Sequence, residues 1–163
     1  MPGVAPLTSS LHDELPISGL PTAMAPNVGF QLARLGAEVA ERFVGALEPL
    51  GIRPRHYAVL SLIDETDEEL SQRTVGGCLA IDKSAMVTVI DELEAGDLVR
   101  RQRSESDRRR NVLELTAHGR RTLADARAVA DESERELLRT LDADQGAALR
   151  AALEQLLAAV IGR

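Results

Sequence analysis

The chain has 163 residues, a formal net charge of −7 and 44% hydrophobic residues, yet only two phenylalanines and one tyrosine as aromatics. That length fits one domain or one protomer of an intertwined dimer, with leucine, valine, isoleucine and alanine filling the core. No run is apolar enough to span a bilayer, the single cysteine excludes an internal disulfide, and no basic stretch followed by an apolar core marks a secretory signal, so a cytoplasmic protein without a membrane partner is expected.

Residues 1–26 carry Pro2, Pro6, Pro16, Pro21 and Pro26 and show no sustained period. A flexible arm is expected there. The alternative is an arm that crosses a dimer partner, because Leu11, Leu15, Ile17 and Leu20 favour burial. Asn27 can cap the next helix. Val28, Leu32, Leu35, Val39, Phe43 and Leu47 then recur at the spacing of an amphipathic helix, which Pro49 and Gly51 end. Pro54 starts a second helix, to about Ile63, with Tyr57, Leu60 and Ile63 toward the core. An acidic connection, Asp64 to Glu69, leads to Ser71, which can cap a third helix reaching about Leu79. Gly76 and Gly77 lie inside it, each costing about 1 kcal/mol relative to alanine. The helix is therefore either loose or packed very close to a neighbour.

Asp82 stands at the cap of a fourth helix. Met86, Val89, Ile90 and Leu93 form its buried face, and at about 100° per residue Ser84, Val87, Thr88 and Asp91 point the other way. Small and hydroxylated side chains near the start of that outer face allow close approach to base edges. Ser84 and Thr88 can hydrogen-bond bases or phosphates, and Val87 can touch a thymine methyl. Taken alone, this is also the pattern of an ordinary surface helix.

Leu98–Arg103 and Asn111–Leu115 are short strand candidates around a polar, turn-prone tip. Arg100 to Arg110 holds six arginines and two acids. Arginine at such a tip can enter a minor groove. Asp107 is placed to orient Arg109 through a forked pair. A solvated charged hairpin would look similar, but a helix pair followed by a basic ribbon is the outline of a winged helix-turn-helix. The charge distribution agrees. Residues 71–115 are neutral overall, and the acidity lies in the rest of the chain.

After the ribbon, Thr116 can cap a fifth helix to about Thr140, whose polar character suits a connecting strut. Asp142 and Gln145 resemble a capping box for a last helix from about Ala143 to Ile161. Its stripe of Leu149, Leu153, Leu156, Leu157, Val160 and Ile161 needs a partner, either the first helix or a second protomer.

These pieces together resemble the MarR family (multiple antibiotic resistance regulators). The resemblance rests on Leu70-Ser71-Gln72, Ile81-Asp82-Lys83-Ser84, Asp91-Glu92-Leu93-Glu94, Leu98-Val99-Arg100-Arg101, Asp107-Arg108-Arg109 and Leu115-Thr116-Ala117-His118-Gly119, with Gly51 to Leu60 similar to the family's second helix. It implies a mainly α fold with a small β-ribbon wing. Residues 1–26 would be the arm and residues 27–163 the MarR-like domain. Within that domain, 52–119 would be the winged helix-turn-helix, and 27–50 with 120–163 the helical dimerisation region. It further implies a homodimer on a pseudo-palindromic double-stranded DNA operator, commonly a repressor released by a small-molecule effector, with no cofactor.

The expected DNA-binding set is Ser84, Val87 and Thr88 in the major groove and Arg109, oriented by Asp107, in the minor groove. Arg108, Arg110, Ser71, Gln72 and Lys83 are expected on phosphates. Effector contacts implied by the resemblance are Phe30, Arg34, His56 and Tyr57. The plain alternatives are a core Tyr57, a surface His56 and a solvated Arg34. Arg53 stands where the family usually has a capping threonine. Asp97 stands where it has the glycine that ends the recognition helix, and Gly96 can supply that turn one position early. Cys78 has no adjacent cation to activate it and is expected to be a buried, inert thiol.

Two rival classes stay open. A winged-helix protein–protein adaptor would share the fold without operator binding. An enzyme would need a nucleophile, phosphate or metal motif. His12, His56 and His118 are scattered and none of those spacings occurs, so neither a catalytic residue nor a metal ligand is expected.

Overall fold

The computed structural model describes residues 27–104 and 111–161. The elements run α1 (Val28–Leu47), a short 3-10 turn (Glu48–Leu50), α2 (Pro54–Asp64), α3 (Gln72–Cys78), α4 (Lys83–Ala95), β1 (Val99–Arg103), β2 (Asn111–Leu115), α5 (Ala117–Leu138) and α6 (Ala143–Ile161). This is the mainly helical winged helix-turn-helix that the residue pattern predicts. The expected arm, residues 1–26, lies outside the described residues.

Side-chain caps set the helix starts. The N–H of Phe30 donates to Asn27 Oδ1, that of Thr74 to Ser71 Oγ and that of Gly119 to Thr116 Oγ1. Asp82 Oδ1 accepts from both Ser84 and Ala85. Asp142 and Gln145 form the reciprocal capping box, each side chain accepting the other's N–H. Each such cap satisfies a backbone donor that the helix cannot and contributes about 1 kcal/mol.

The chain divides after Arg42 into two compact units. In the first, Arg34 and Arg42 both pair with Glu38 along exposed turns of α1. Val28, Phe30, Leu32 and Leu35 are exposed. In the second unit the core gathers Leu47, Leu60, Met86, Ile90, Leu93 and Leu123, all fully buried. Phe43 meets Tyr57 edge to face, with ring centroids 5.7 Å apart. The first half of α5 buries Gly119, Thr122, Leu123 and Ala126, so this helix is part of the core at one end and a strut only at the other. Among the residues of α6 whose burial is described, only Gly146 is buried, and Leu156, Leu157 and Val160 are exposed.

β1 and β2 pair antiparallel, with Val99 opposite Leu115 and Arg103 opposite Asn111. The outer edge of β2 is tied once more, by Leu113 N–H to the carbonyl of Leu70 at 2.9 Å. This places the segment before α3 against the ribbon.

Candidate nucleic-acid interface

α4 is held by its inner face. Met86, Val89, Ile90 and Leu93 are buried there, while Ser84, Val87 and Thr88 are exposed on the opposite side. The hydroxyls at the start of that outer face have local partners. Ser84 Oγ donates to Asp82 Oδ1 at 2.6 Å, and Thr88 Oγ1 donates back to the Ser84 carbonyl at 3.4 Å. The Ser84 hydroxyl and the backbone N–H groups hold the Asp82 carboxyl below the usual carboxylate range.

Tight spacing joins α3 to α4. A Cβ on Gly76 would lie 3.3 Å from the Ile81 carbonyl oxygen and 3.6 Å from Met86 Cγ. Gly76 therefore permits close packing, the second of the two expectations for this helix. Gly77 is exposed, with open space around it. The intervening turn bonds Ile81 N–H to Gly76 and Ala80 N–H to Gly77, with Ala80 at φ 51°. A left-handed alanine costs on the order of 1–2 kcal/mol.

The end of α4 corrects one expectation. Gly96 keeps a right-handed φ of −82°, and Asp97 itself adopts φ 52°. Leu98 N–H bonds the Leu93 carbonyl and Asp97 N–H that of Glu94, the Schellman pattern with Asp97 in the glycine's place. Aspartate is among the few residues that tolerate this conformation.

His56 is buried, not a surface residue. Its Nδ1 accepts the N–H of Arg53 at 3.3 Å, and its Nε2 lies 2.8 Å from Glu92 Oε2. With Nδ1 accepting, Nε2 carries the proton and donates to the carboxylate. Arg53 has no acceptor to offer the helix end, so His56 supplies half a capping box from inside α2. Arg53 also pairs with Glu92 at 3.1 Å. The His56 hydrogen bond and then the Arg53 charge hold the Glu92 carboxyl low. α2 is thereby stapled to α4.

Arg101 does the same for the wing. Its guanidinium contacts Glu94, reaches Asp91 Oδ1 at 2.7 Å and Gln72 Oε1 at 3.3 Å, and its backbone N–H donates to Glu94. One arginine at the wing's root thus binds both α3 and α4. Across the ribbon, Arg100 forks onto Glu114 Oε2 at 2.8 and 3.2 Å. Ser104, buried beyond the strand, donates to Glu69.

The Leu115–Gly119 stretch is a clasp. Thr116 Oγ1 caps α5 and donates to the Asp97 carbonyl, while Thr116 N–H donates to that of Leu98 at 3.1 Å. A Cβ on Gly119 would fall 1.9 Å from the Leu98 oxygen, so this position requires glycine.

The expected contact residues therefore separate into groups. Ser84, Val87, Thr88 and Lys83 are exposed together on α4. Ser71 is occupied with capping and with Thr74 Oγ1 at 2.8 Å, and Gln72 is engaged by Arg101. Asp107, Arg108, Arg109 and Arg110 lie outside the described residues. Of the expected effector contacts, Phe30 and Arg34 are exposed, Tyr57 is half-buried against Phe43, and both nitrogens of His56 are in use. Cys78 is exposed, contrary to expectation. Helix α3 turns Val75 and Gly76 inward, and Cys78 falls off that face. Sequence reasoning missed the role of Arg101, because its partners lie 7 to 29 residues away. Among the described residues no group of three or more His, Cys, Asp or Glu is arranged to hold a metal ion, and no helix is long and apolar enough to cross a membrane.

A helix pair with its second helix presented outward, clasped to a two-stranded wing, defines a winged helix-turn-helix module. The MarR family model matches residues 50–110. The structure of CouR from Rhodococcus jostii RHA1 bound to p-coumaroyl-CoA is 33% identical, with TM-score 0.73, over 84% of this chain and 94% of that one. The repressor CouR bound to a 23-mer DNA duplex is 34% identical, with TM-score 0.73, over 87% and 96%. A MarR family transcriptional regulator from Rhodococcus sp. RHA1 is 30% identical, with TM-score 0.73, over 87% and 98%. The chain belongs to the MarR family of transcriptional regulators.

Proposed function

We propose that the protein binds a pseudo-palindromic DNA operator as a homodimer, represses transcription from it, and is released by a small-molecule effector. The observation that carries this reading is the outer face of α4, where Ser84, Val87 and Thr88 stand exposed on a helix fixed from behind by four buried side chains. Such a face fits the major groove, with the two hydroxyls on bases or phosphates, Val87 on a thymine methyl and Lys83 on a phosphate. Arg109 enters the minor groove, oriented by Asp107, with Arg108 and Arg110 on the backbone. Ser71 and Gln72 act mainly through α3, the first by capping it and the second by meeting Arg101. Two protomers on a two-fold axis address half-sites about 34 Å apart.

The relatives support the reading. CouR is a repressor solved on a DNA duplex, and also with p-coumaroyl-CoA. An effector works here by favouring a spacing of the two modules that cannot seat both α4 helices at once. Phe30, Arg34 and Tyr57 are the proposed effector contacts, while both ring nitrogens of His56 are engaged, by Arg53 and Glu92.

The test is binding of the purified protein to the DNA immediately upstream of its own gene, beside an unrelated fragment, at two salt concentrations. Tight binding that prefers the upstream DNA and weakens steeply with salt is expected. Absence of binding to either fragment at low salt would overturn the reading and favour the protein–protein adaptor.

A further inference from the structure

Two depressions flank α4. One, of about 280 Å³, is lined by Arg53, Arg55 and His56 of the α2 end and by Ala85, Thr88 and Glu92 of α4. The other, of about 910 Å³, lies between α3 and the start of α4, with Arg73 and Lys83 among its walls. Lys83 and Ala85 are two residues apart, so at about 100° per residue they stand on nearly opposite sides of the helix. The exposed face of Ser84, Val87 and Thr88 lies between them.

Three cations at these two places differ from several arginines of the module. Arg53, Arg100 and Arg101 are each held by a carboxylate. Arg55, Arg73 and Lys83 are exposed and make no ion pair among the described residues. The acids nearby are already engaged. Glu92 is held by His56 and Arg53, and Asp82, the charge that Arg55 influences, caps α4. Each depression keeps a net positive charge, with Arg53 and Arg55 against Glu92 in the first and Arg73 and Lys83 against the Asp82 carboxylate in the second.

A helix lying in the major groove, about 12 Å wide, has a phosphate backbone on each side of it. We infer that Arg55 and Arg73 are the backbone anchors of this protein, Arg55 holding a phosphate of one strand and Arg73, with Lys83, a phosphate of the other. The inference rests on the DNA-binding reading and adds two residues to it. Each guanidinium can fork onto two phosphate oxygens, and each contact strengthens binding to any sequence. Together they fix how far α4 rolls in the groove, because the helix is held from both flanks.

The experiment uses the full chain and a duplex from the fragment it prefers, with Arg55→Ala, Arg73→Ala and Arg55→Lys. Unchanged thermal melts are expected for variants at such exposed positions. Each alanine should weaken binding on the order of tenfold, on preferred and unrelated duplexes alike, and lower the salt slope by about 0.9. Arg55→Lys should keep the slope. Single methylphosphonate substitutions then separate the strands. Within one half-site, Arg55→Ala should remove the sensitivity to neutral phosphates on one strand and Arg73→Ala that on the other, with the strands exchanged in the second half-site. If the wild-type chain binds while either alanine leaves affinity and slope unchanged, or if within one half-site both variants lose sensitivity on the same strand, the anchor assignment is wrong by itself. A wild-type chain that binds no duplex overturns the regulator reading and this assignment with it.

Discussion

Gly76 and Gly77 are neighbours with opposite surroundings. A methyl on Gly77 meets nothing within 4 Å, whereas one on Gly76 meets the Ile81 backbone oxygen at 3.3 Å. Gly77→Ala is expected to raise stability by about 0.5–1 kcal/mol through helix propensity. Gly76→Ala should gain none of this, since the turn before α4 has to give way. Thermal melts of the two variants check the order, and a Gly76→Ala protein more stable than Gly77→Ala would contradict the packing described. Glu92 offers a pH reading at the same scale. Its carboxyl is held low by His56 and then Arg53, so the folded state binds that proton more weakly than the unfolded chain. The resulting stabilisation is whole above the unfolded carboxylate value, about pH 4.3, and is lost as the pH falls through the lower folded value. Melting temperatures of wild type and Glu92→Gln should accordingly differ at pH 6 and converge toward pH 3. A gap that stays constant across that range would show that Glu92 titrates normally. None of these environments is local in sequence. The two glycines read alike, and the partner of His56 lies 36 residues downstream.

The elements themselves were largely legible. Asn27, Ser71, Asp82, Thr116 and the Asp142/Gln145 pair all cap where a short polar side chain precedes an apolar period. These signals act within three or four residues, so the chain displays them directly. The ends were less legible. α2 continues one residue past Ile63, α5 stops at Leu138 rather than Thr140, and α4 closes on a left-handed Asp97 rather than at Gly96. Helix ends depend on which carbonyls find partners elsewhere, and Asp97 has its own carbonyl taken by Thr116. The outer face of α4 could be read from periodicity, but its fixity could not. The staples through His56 to α2, through Arg101 to α3 and the wing, and through Leu98 to α5 are tertiary contacts. So are the positions of Arg55 and Arg73 on the two flanks, which only the packing of α2 and α3 against α4 brings into place.

For the whole molecule, the question is what covers α6. Leu156, Leu157 and Val160 are exposed, by 50%, 56% and 73%, on a helix that buries one glycine among its described residues. Apolar surface of that kind is stabilised by burial at about 25 cal/mol per Å². In the proposed homodimer it forms part of the seam. Leu156→Glu combined with Leu157→Glu is therefore expected to shift the protein from dimer to monomer and to weaken operator binding severely. Sedimentation velocity checks the first effect, and an unchanged mass would remove α6 from the seam. The peptide of Leu98 adds a last consequence. Its N–H closes α4, its carbonyl receives the start of α5, and Gly119 lets the two meet without a side chain between them. With 22 residues at 1.5 Å each, α5 is a lever about 33 Å long, pivoted at that junction. A push of about 3 Å on its Leu138 end corresponds to a rotation of about 5° at the pivot. In the proposed regulator such a rotation would have to carry the buried first half of α5 with it, and through the Leu98 peptide it would change the aim of α4.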